Sequence, residues 1–142
     1  MSIQNRFLAY VDAFEITYKD NDWSRLEQYF TTDAVYDGGP EEAAHGRPAV
    51  MAKLETAIDG FDRLMDSRVV EFSTPVTEGD TVSIYWTARY SKAGLPDLHF
   101  GGYEYATFEG DCITHLRDEP DPGTEEAMAS WMAQHGQSLF AQ

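Results

Sequence analysis

The strongest constraint on this chain is a change of hydrophobic period about half-way along it. Up to Gly60 apolar side chains recur at three- and four-residue steps, and from Arg68 onward they alternate. The first pattern makes helices and the second makes strands. From about Ser2 to Lys19, residues Ile3, Phe7, Tyr10, Val11, Phe14 and Tyr18 form one face of an amphipathic helix, with Ser2 as its N-cap. Asp20-Asn21-Asp22 is a turn into a second helix, whose buried stripe is Trp23, Leu26, Tyr29 and Phe30. Asp33 to Asp37 is a short strand, which Gly38-Gly39-Pro40 breaks. Pro48 opens a third helix with Val50, Met51, Leu54, Ala57 and Ile58 on its apolar face, stopping near Gly60.

The second half reads as a meander. Arg68 to Val76 is a candidate strand, and Glu78-Gly79-Asp80 a hairpin turn. Thr81 to Tyr90 places Val82, Ile84, Trp86, Ala88 and Tyr90 on one face, with Ser83, Tyr85, Thr87 and Arg89 on the other. Gly94 to Asp97 turns into a strand from Leu98 to Glu109, in which Gly101-Gly102 suits a bulge or bend. Gly110-Asp111 leads to a last strand, Cys112 to Glu119. After Asp121-Pro122-Gly123, Thr124 caps a final helix carrying Met128, Trp131, Met132, His135 and Leu139. Helices with one strand among them, followed by an antiparallel meander, are an α+β layout. No repeat, low-complexity tract or linker divides it, so residues 1–142 read as one domain.

The order of elements between Leu26 and Val50 carries a family signal. A helix runs into Asp33-Ala34-Val35-Tyr36, a Gly/Pro loop follows, and Gly46-Arg47-Pro48 opens the next helix. This resembles the opening of the SnoaL-like, nuclear-transport-factor-2-like superfamily. The resemblance implies a cystatin-like α+β fold, a helix-lined cone packed on a curved antiparallel sheet, here with an added C-terminal helix. It implies a pocket on the concave face and a second subunit on the convex face. Enzymes, binding modules and pure dimerisers all use such a fold.

Composition narrows the partners. The net charge of −15 repels phosphate backbones and anionic lipid heads, and no basic cluster offsets it, so nucleic-acid and membrane roles are disfavoured. The first residues lack the charged region and apolar run of a signal peptide, which predicts a cytoplasmic protein. The one cysteine, Cys112, rules out an intrachain disulfide and reads as a small buried hydrophobe. His45, His99, His115 and His135 lack the short paired spacings of a zinc site, and no phosphate-gripping glycine loop is present, so neither a metal nor a cofactor is expected.

Candidate chemistry follows from facing. If Trp86 lies on the concave face, the matching row of the next strand is Leu98, Phe100, Gly102, Glu104, Ala106 and Phe108. Glu104 is then a carboxylate in an apolar row, where burial raises its pKa toward that of a general acid or base. A bulge at Gly101-Gly102 would instead turn it to solvent. The last strand has two mixed faces. The family's usual run places Ile113, His115 and Arg117 inward, so that His115 stands beside Glu104 and Arg117 stabilises charge; the other facing leaves both in solvent. Tyr36 is a candidate hydrogen-bond donor to a ligand oxygen, or a buried phenol bonded to backbone.

The ligand wall would comprise Phe14, Tyr18, Leu54, Trp86, Tyr90 and Phe100. His45 at the cone mouth is either a further contact or a plain loop residue. The ketosteroid-isomerase branch uses a helix tyrosine, an aspartate ending the first strand and an acid on a later strand. Those places hold Phe14, Gly38 and Glu104, which disfavours that reaction. Two functions are expected: a cofactor-independent lyase, isomerase or cyclase moving a proton on a small apolar oxygenated compound, or a non-catalytic dimeric domain binding a small hydrophobic molecule. The predicted homodimer uses Tyr85, Tyr103 and Tyr105 of the convex face.

Overall fold

A computed structural model describes residues 2–38 and 42–140. Helix α1 (Ile3–Asp20) is capped by the Ser2 side chain, which accepts the Asn5 amide at 3.1 Å. A 3₁₀ turn (Trp23–Tyr29) then leads into β1 (Phe30–Asp37). It replaces the α-helix expected there, yet it buries the same Trp23, Leu26 and Tyr29. Phe30 is the first residue of β1, so that strand starts earlier than its alternation suggested. The Gly39 and Pro40 of the expected chain break lie outside the described residues.

Strand β2 (Ala44–His45) and helix α2 (Arg47–Gly60) follow, with the proline in the first turn of α2. A short 3₁₀ turn (Asp62–Leu64) leads to β3 (Ser67–Phe72) and β4 (Val76–Glu78). These were expected to be one strand. Ser73-Thr74-Pro75 separate them, because a proline has no N–H to give a ladder. Then come β5 (Thr81–Ser91), β6 (Leu98–Glu109), β7 (Cys112–Pro120) and α3 (Thr124–Phe140).

The sheet order is β2-β1-β7-β6-β5-β3, with β4 also on β5. All pairings are antiparallel except β1 with β7. The fold is thus the expected cone: α1 and α2 lie against the concave face, where Phe7, Leu26, Phe30, Val50, Val82, Ile84, Ala106, Ile113 and Leu116 make the main core. The expected core residues Leu54 and Phe108 are buried, whereas Phe14 and Trp86 are partly exposed. A second cluster joins α3 to the other end of the sheet through Trp131, Leu139, Met65, Ala88, Tyr90 and Leu98. Trp131 also donates its indole N–H to the Pro96 carbonyl at 3.0 Å.

Two irregularities decide which side chains reach the interior. Gly101 and Gly102 were expected to bulge, yet pairing runs through them without a shift, Thr87 opposite Gly101 and Trp86 opposite Gly102. Their role is close approach: a Cβ on Gly102 would stand 2.6 Å from the Glu119 carbonyl oxygen and 2.8 Å from Pro120 Cα. The bulge is instead in β7. Phe108 pairs with Ile113 and Thr107 with His115, so Thr114 is an extra residue. It reverses the alternation of β7, leaving Ile113 inward but turning Leu116 and Asp118 inward after it.

Gly102→Ala must push β6 from β7, because the obstacle is backbone rather than a flexible side chain. A loss of roughly 1–3 kcal/mol is expected in urea unfolding; an unchanged midpoint would show that the strands can separate freely there.

Candidate functional site

Between the helices and the concave face lies a cavity of about 260 Å³. Helix α1 contributes Tyr10, Val11, Phe14 and Glu15, and α2 contributes Leu54, Ala57 and Ile58. The sheet supplies Tyr36 from β1, Asp118 from β7, Glu104 and Phe100 from β6, Trp86, Ala88 and Tyr90 from β5, and Arg68, Val70 and Phe72 from β3. Asp62 completes the wall from the turn after α2. Ala57 and Phe72 line the cavity and are also exposed, so they belong to its rim.

The deep end is a carboxyl pair. Glu104 and Asp118 are direct partners across β6 and β7. Tyr36 donates its hydroxyl to Asp118 Oδ2 at 2.5 Å. This pair has room only because residue 38 is glycine: a Cβ there would come within 2.9 Å of the Tyr36 ring and hydroxyl and 3.0 Å of Asp118 Oδ2. Burial, then the charge of Asp118 and a hydrogen bond to it, raise the Glu104 pKa well above the carboxylate range. Asp118 Oδ1 is buried and receives no N–H or O–H from the described residues. A proton kept on Glu104 is the donor at hand. Burial and the same two carboxyl groups hold the Tyr10 phenol neutral, and its hydroxyl meets no hydrogen-bond partner among the described residues. Tyr36 is likewise held neutral by burial and by Asp118.

The other end is an ion cluster. Arg68 makes a fork to Glu15 (2.6 and 3.3 Å) and a third bond to Asp62 Oδ2 (2.8 Å), while its guanidinium lies 4.6 Å over the Tyr18 ring. Tyr90 donates to the same Asp62 oxygen at 2.9 Å. Burial opposes the charge on Arg68, but Glu15 and then Asp62 outweigh it and hold the guanidinium ionised. Burial raises the Asp62 pKa against the pull of Arg68 and Tyr90. Tyr90 is opposite Arg68 and Leu98 in the ladders, and Leu98 is six residues from Glu104 along β6. At about 3.3 Å per residue this separates the strand positions of the two polar ends by roughly 20 Å of backbone. Phe14, Val70, Trp86 and Phe100 fill the apolar wall between them.

Of the residues expected to carry chemistry, Glu104 and Tyr36 meet in the cavity, and His115 and Arg117 do not. The Thr114 bulge puts both on the convex face, His115 opposite Thr107 and Arg117 opposite Tyr105. There Arg117 bonds Glu119 at 2.7 Å and lies 4.2 Å over the Tyr105 ring. The Glu104–His115 pair is therefore not formed. The structure also gives the Tyr36 proton to Asp118 rather than leaving it for a ligand. Phe14, Leu54, Trp86, Tyr90 and Phe100 line the cavity; His45 is exposed beside Val35, and Tyr18 packs behind Arg68. Cys112, expected to be buried, is half-buried at the start of β7.

Asp118, Tyr10, Asp62, Arg68 and Glu15 were missed. Tyr10 was visible four residues before Phe14 on one helix face, and Arg68 shares a strand row with Val70 and Phe72. Nothing in the alternation of β7 announced Asp118. No group of three or more His, Cys, Asp or Glu is placed to hold a metal ion among the described residues, nor is any helix long and apolar enough to cross a membrane.

Residues 7–119 match the family model of the SnoaL-like domain. The chain belongs to that family. Solved structures of the same fold agree. One is TerC co-crystallised with polyporic acid, 12% identical, covering 93% of this chain and 99% of that one with a TM-score of 0.68. An NTF2-like protein of unknown function from Burkholderia pseudomallei is 14% identical, with coverage of 92% and 98% and a TM-score of 0.68. A Catenulispora acidiphila protein with a ketosteroid-isomerase-like fold, in complex with trimethylamine, is 18% identical, with coverage of 89% and 92% and a TM-score of 0.63. Among curated proteins none matches the chain significantly.

The Glu104 proton gives a stability test. The unfolded chain releases it in the ordinary carboxylate range, while the fold keeps it to higher pH. The folded state thus binds more protons in that window, and stability falls as pH rises through it. Glu104→Gln is neutral in both states and escapes the loss. Its melting temperature should gain on the parent's progressively as pH rises above the ordinary carboxylate range; a pH-independent difference would mean that Glu104 ionises normally.

Proposed function

We propose that this SnoaL-like protein is a cofactor-independent enzyme that moves a proton on a small apolar carbonyl compound. The opposed Glu104–Asp118 pair beneath an apolar cavity carries this reading. The pair holds one proton, so it can accept a second: it takes the hydrogen α to a carbonyl. The unpartnered Tyr10 hydroxyl donates to the oxygen that gathers charge, while Tyr36 holds Asp118 in place. From the enolate, return of the proton to another carbon gives isomerisation. Loss of a β-substituent gives a lyase reaction, and attack on a second carbonyl gives cyclisation. The volume is at the small end for organic ligands, typically about 300–1,000 Å³, which suits one or two fused rings. Polyporic acid with TerC and trimethylamine with the Catenulispora protein are small organic molecules seen with this fold.

Exchange of the α-hydrogens of 2-tetralone in D2O, followed by proton NMR, reads this chemistry without the natural substrate. Wild-type protein should accelerate exchange over buffer, and Glu104→Gln or Asp118→Asn should lower the rate roughly a hundredfold. No acceleration by a folded wild type would leave a non-catalytic binding domain as the better reading.

The same proposal includes a homodimer through the convex face. Tyr103 is 43% exposed there, between Tyr85 (ring centroids 5.0 Å apart) and Tyr105 (6.0 Å). Aromatic patches of this kind favour a protein partner over water. Sedimentation velocity at micromolar concentration should give a dimer that Tyr103→Glu dissociates; a monomeric wild type would remove this part of the proposal.

A further inference from the structure

The charge around the cavity is unbalanced in a way that proton transfer to a neutral ketone does not use. Among the described residues four carboxyl side chains line it, Glu15, Asp62, Glu104 and Asp118, against one guanidinium, Arg68. Even with a proton on one of them, the acids outnumber the one cation. Arg68 is already committed: Glu15 takes its fork, Asp62 its third bond, and Tyr18 covers its face. Among the described residues no lysine or histidine lines the wall. A carboxylate or phosphate entering this space would meet a negative field with no cation free to bind it, in surroundings where water screens poorly.

The remaining surface suits the opposite charge. Tyr10, Phe14, Phe72, Trp86, Tyr90 and Phe100 bring aromatic rings to the cavity, with Trp86 and Phe100 edge to face at 5.9 Å and Tyr90 tilted on Phe100 at 5.5 Å. Ring faces attract an organic ammonium, and more strongly where it is shielded from water. The Tyr10 hydroxyl points to a ligand independently. Its residue is 2% exposed and lines the cavity, and no described residue bonds that oxygen. A phenol oxygen can accept from an N–H as well as donate to a carbonyl.

We propose that the cavity selects a small apolar molecule that carries a protonated amine, and rejects its carboxylate counterpart. This inference rests on the cavity being the ligand site of the proposed function and specifies the substrate class. The ammonium sits among the aromatic rings, within the field of the carboxylates. The fused-ring part fills the space between α1, α2 and the sheet.

Three probes of one skeleton test it: 2-aminotetralin, 2-tetralone and tetralin-2-carboxylate, titrated near neutral pH and followed by tryptophan fluorescence and calorimetry. The amine should bind at least about tenfold more tightly than the carboxylate, with the ketone between them. The protein's overall acidity attracts amines to its surface as well, so the cavity must be shown to be the place. Ala57→Trp fills the rim from an exposed helix position that tolerates a large side chain, and should abolish amine binding while leaving the melting temperature near that of wild type. If that variant does not fold, Phe72→Arg replaces it: the exposed rim position then carries a cation that repels an ammonium, with lost fluorescence change on amine addition as the readout. Equal or tighter carboxylate binding, amine binding that survives the plug, or no binding of any probe would each overturn the proposal. Failure here is separate from failure of the enzyme reading. Amine selectivity without tetralone exchange would remove only the catalysis, and exchange with carboxylate preference would remove only the substrate class.

Discussion

Two carboxyl groups facing each other across neighbouring strands in an apolar space cannot both be ionised, and much of this molecule is arranged around that fact. Glu104 keeps a proton, Tyr36 gives its hydrogen bond to Asp118, and Gly38 leaves the space in which they meet. The helix residue nearest this group, Tyr10, is held neutral by burial and by the same two carboxyl groups. Each member is ordinary alone. Together they form one buried acid group at the deep end of the cavity.

The ion cluster at the far end works by a different balance. Arg68 is almost fully covered and is held by two carboxylates and an aromatic face. Desolvation of such a group costs several kcal/mol, which its partners offset only while all are present; removing one partner from a buried cluster of this kind typically costs about 3–5 kcal/mol. That rigidity has a structural use. Glu15 belongs to α1, Asp62 to the turn after α2, and Arg68 and Tyr90 to the sheet, so the cluster fastens both helices to the cavity's outer half without filling it.

Most of the scaffold could be read from periodicity. The α1 face, the α2 start at Arg47-Pro48 and the inward rows of β5 and β6 follow from residue spacing, because burial of one face imposes period 3.6 or 2. Glu104 stood out for the same reason, as a lone acid in an apolar row. The site failed to be legible at β7. Ile113-Thr114-His115-Leu116-Arg117-Asp118 offers both faces a mixture of apolar and polar residues, so a one-residue slip exchanges them at no cost in pattern. Thr114 makes that slip, and with it Asp118 takes the place that alternation gave to His115 or Arg117. Asp62 was out of reach for another reason: it lies in a turn, and only long-range packing carries it to Arg68.

Helix α3 lies beyond the part of the chain that the family model matches. Its Trp131 and Leu139 nonetheless share a packed cluster with Ala88 and Tyr90, which are at once cavity wall and, in the case of Tyr90, a partner of Asp62. Helix α3 thus backs one wall of the cavity from the side away from the ligand space. A substitution in α3 that displaces Trp131 or Leu139 therefore reaches the cavity through Ala88 and Tyr90 while every cavity-facing residue stays the same.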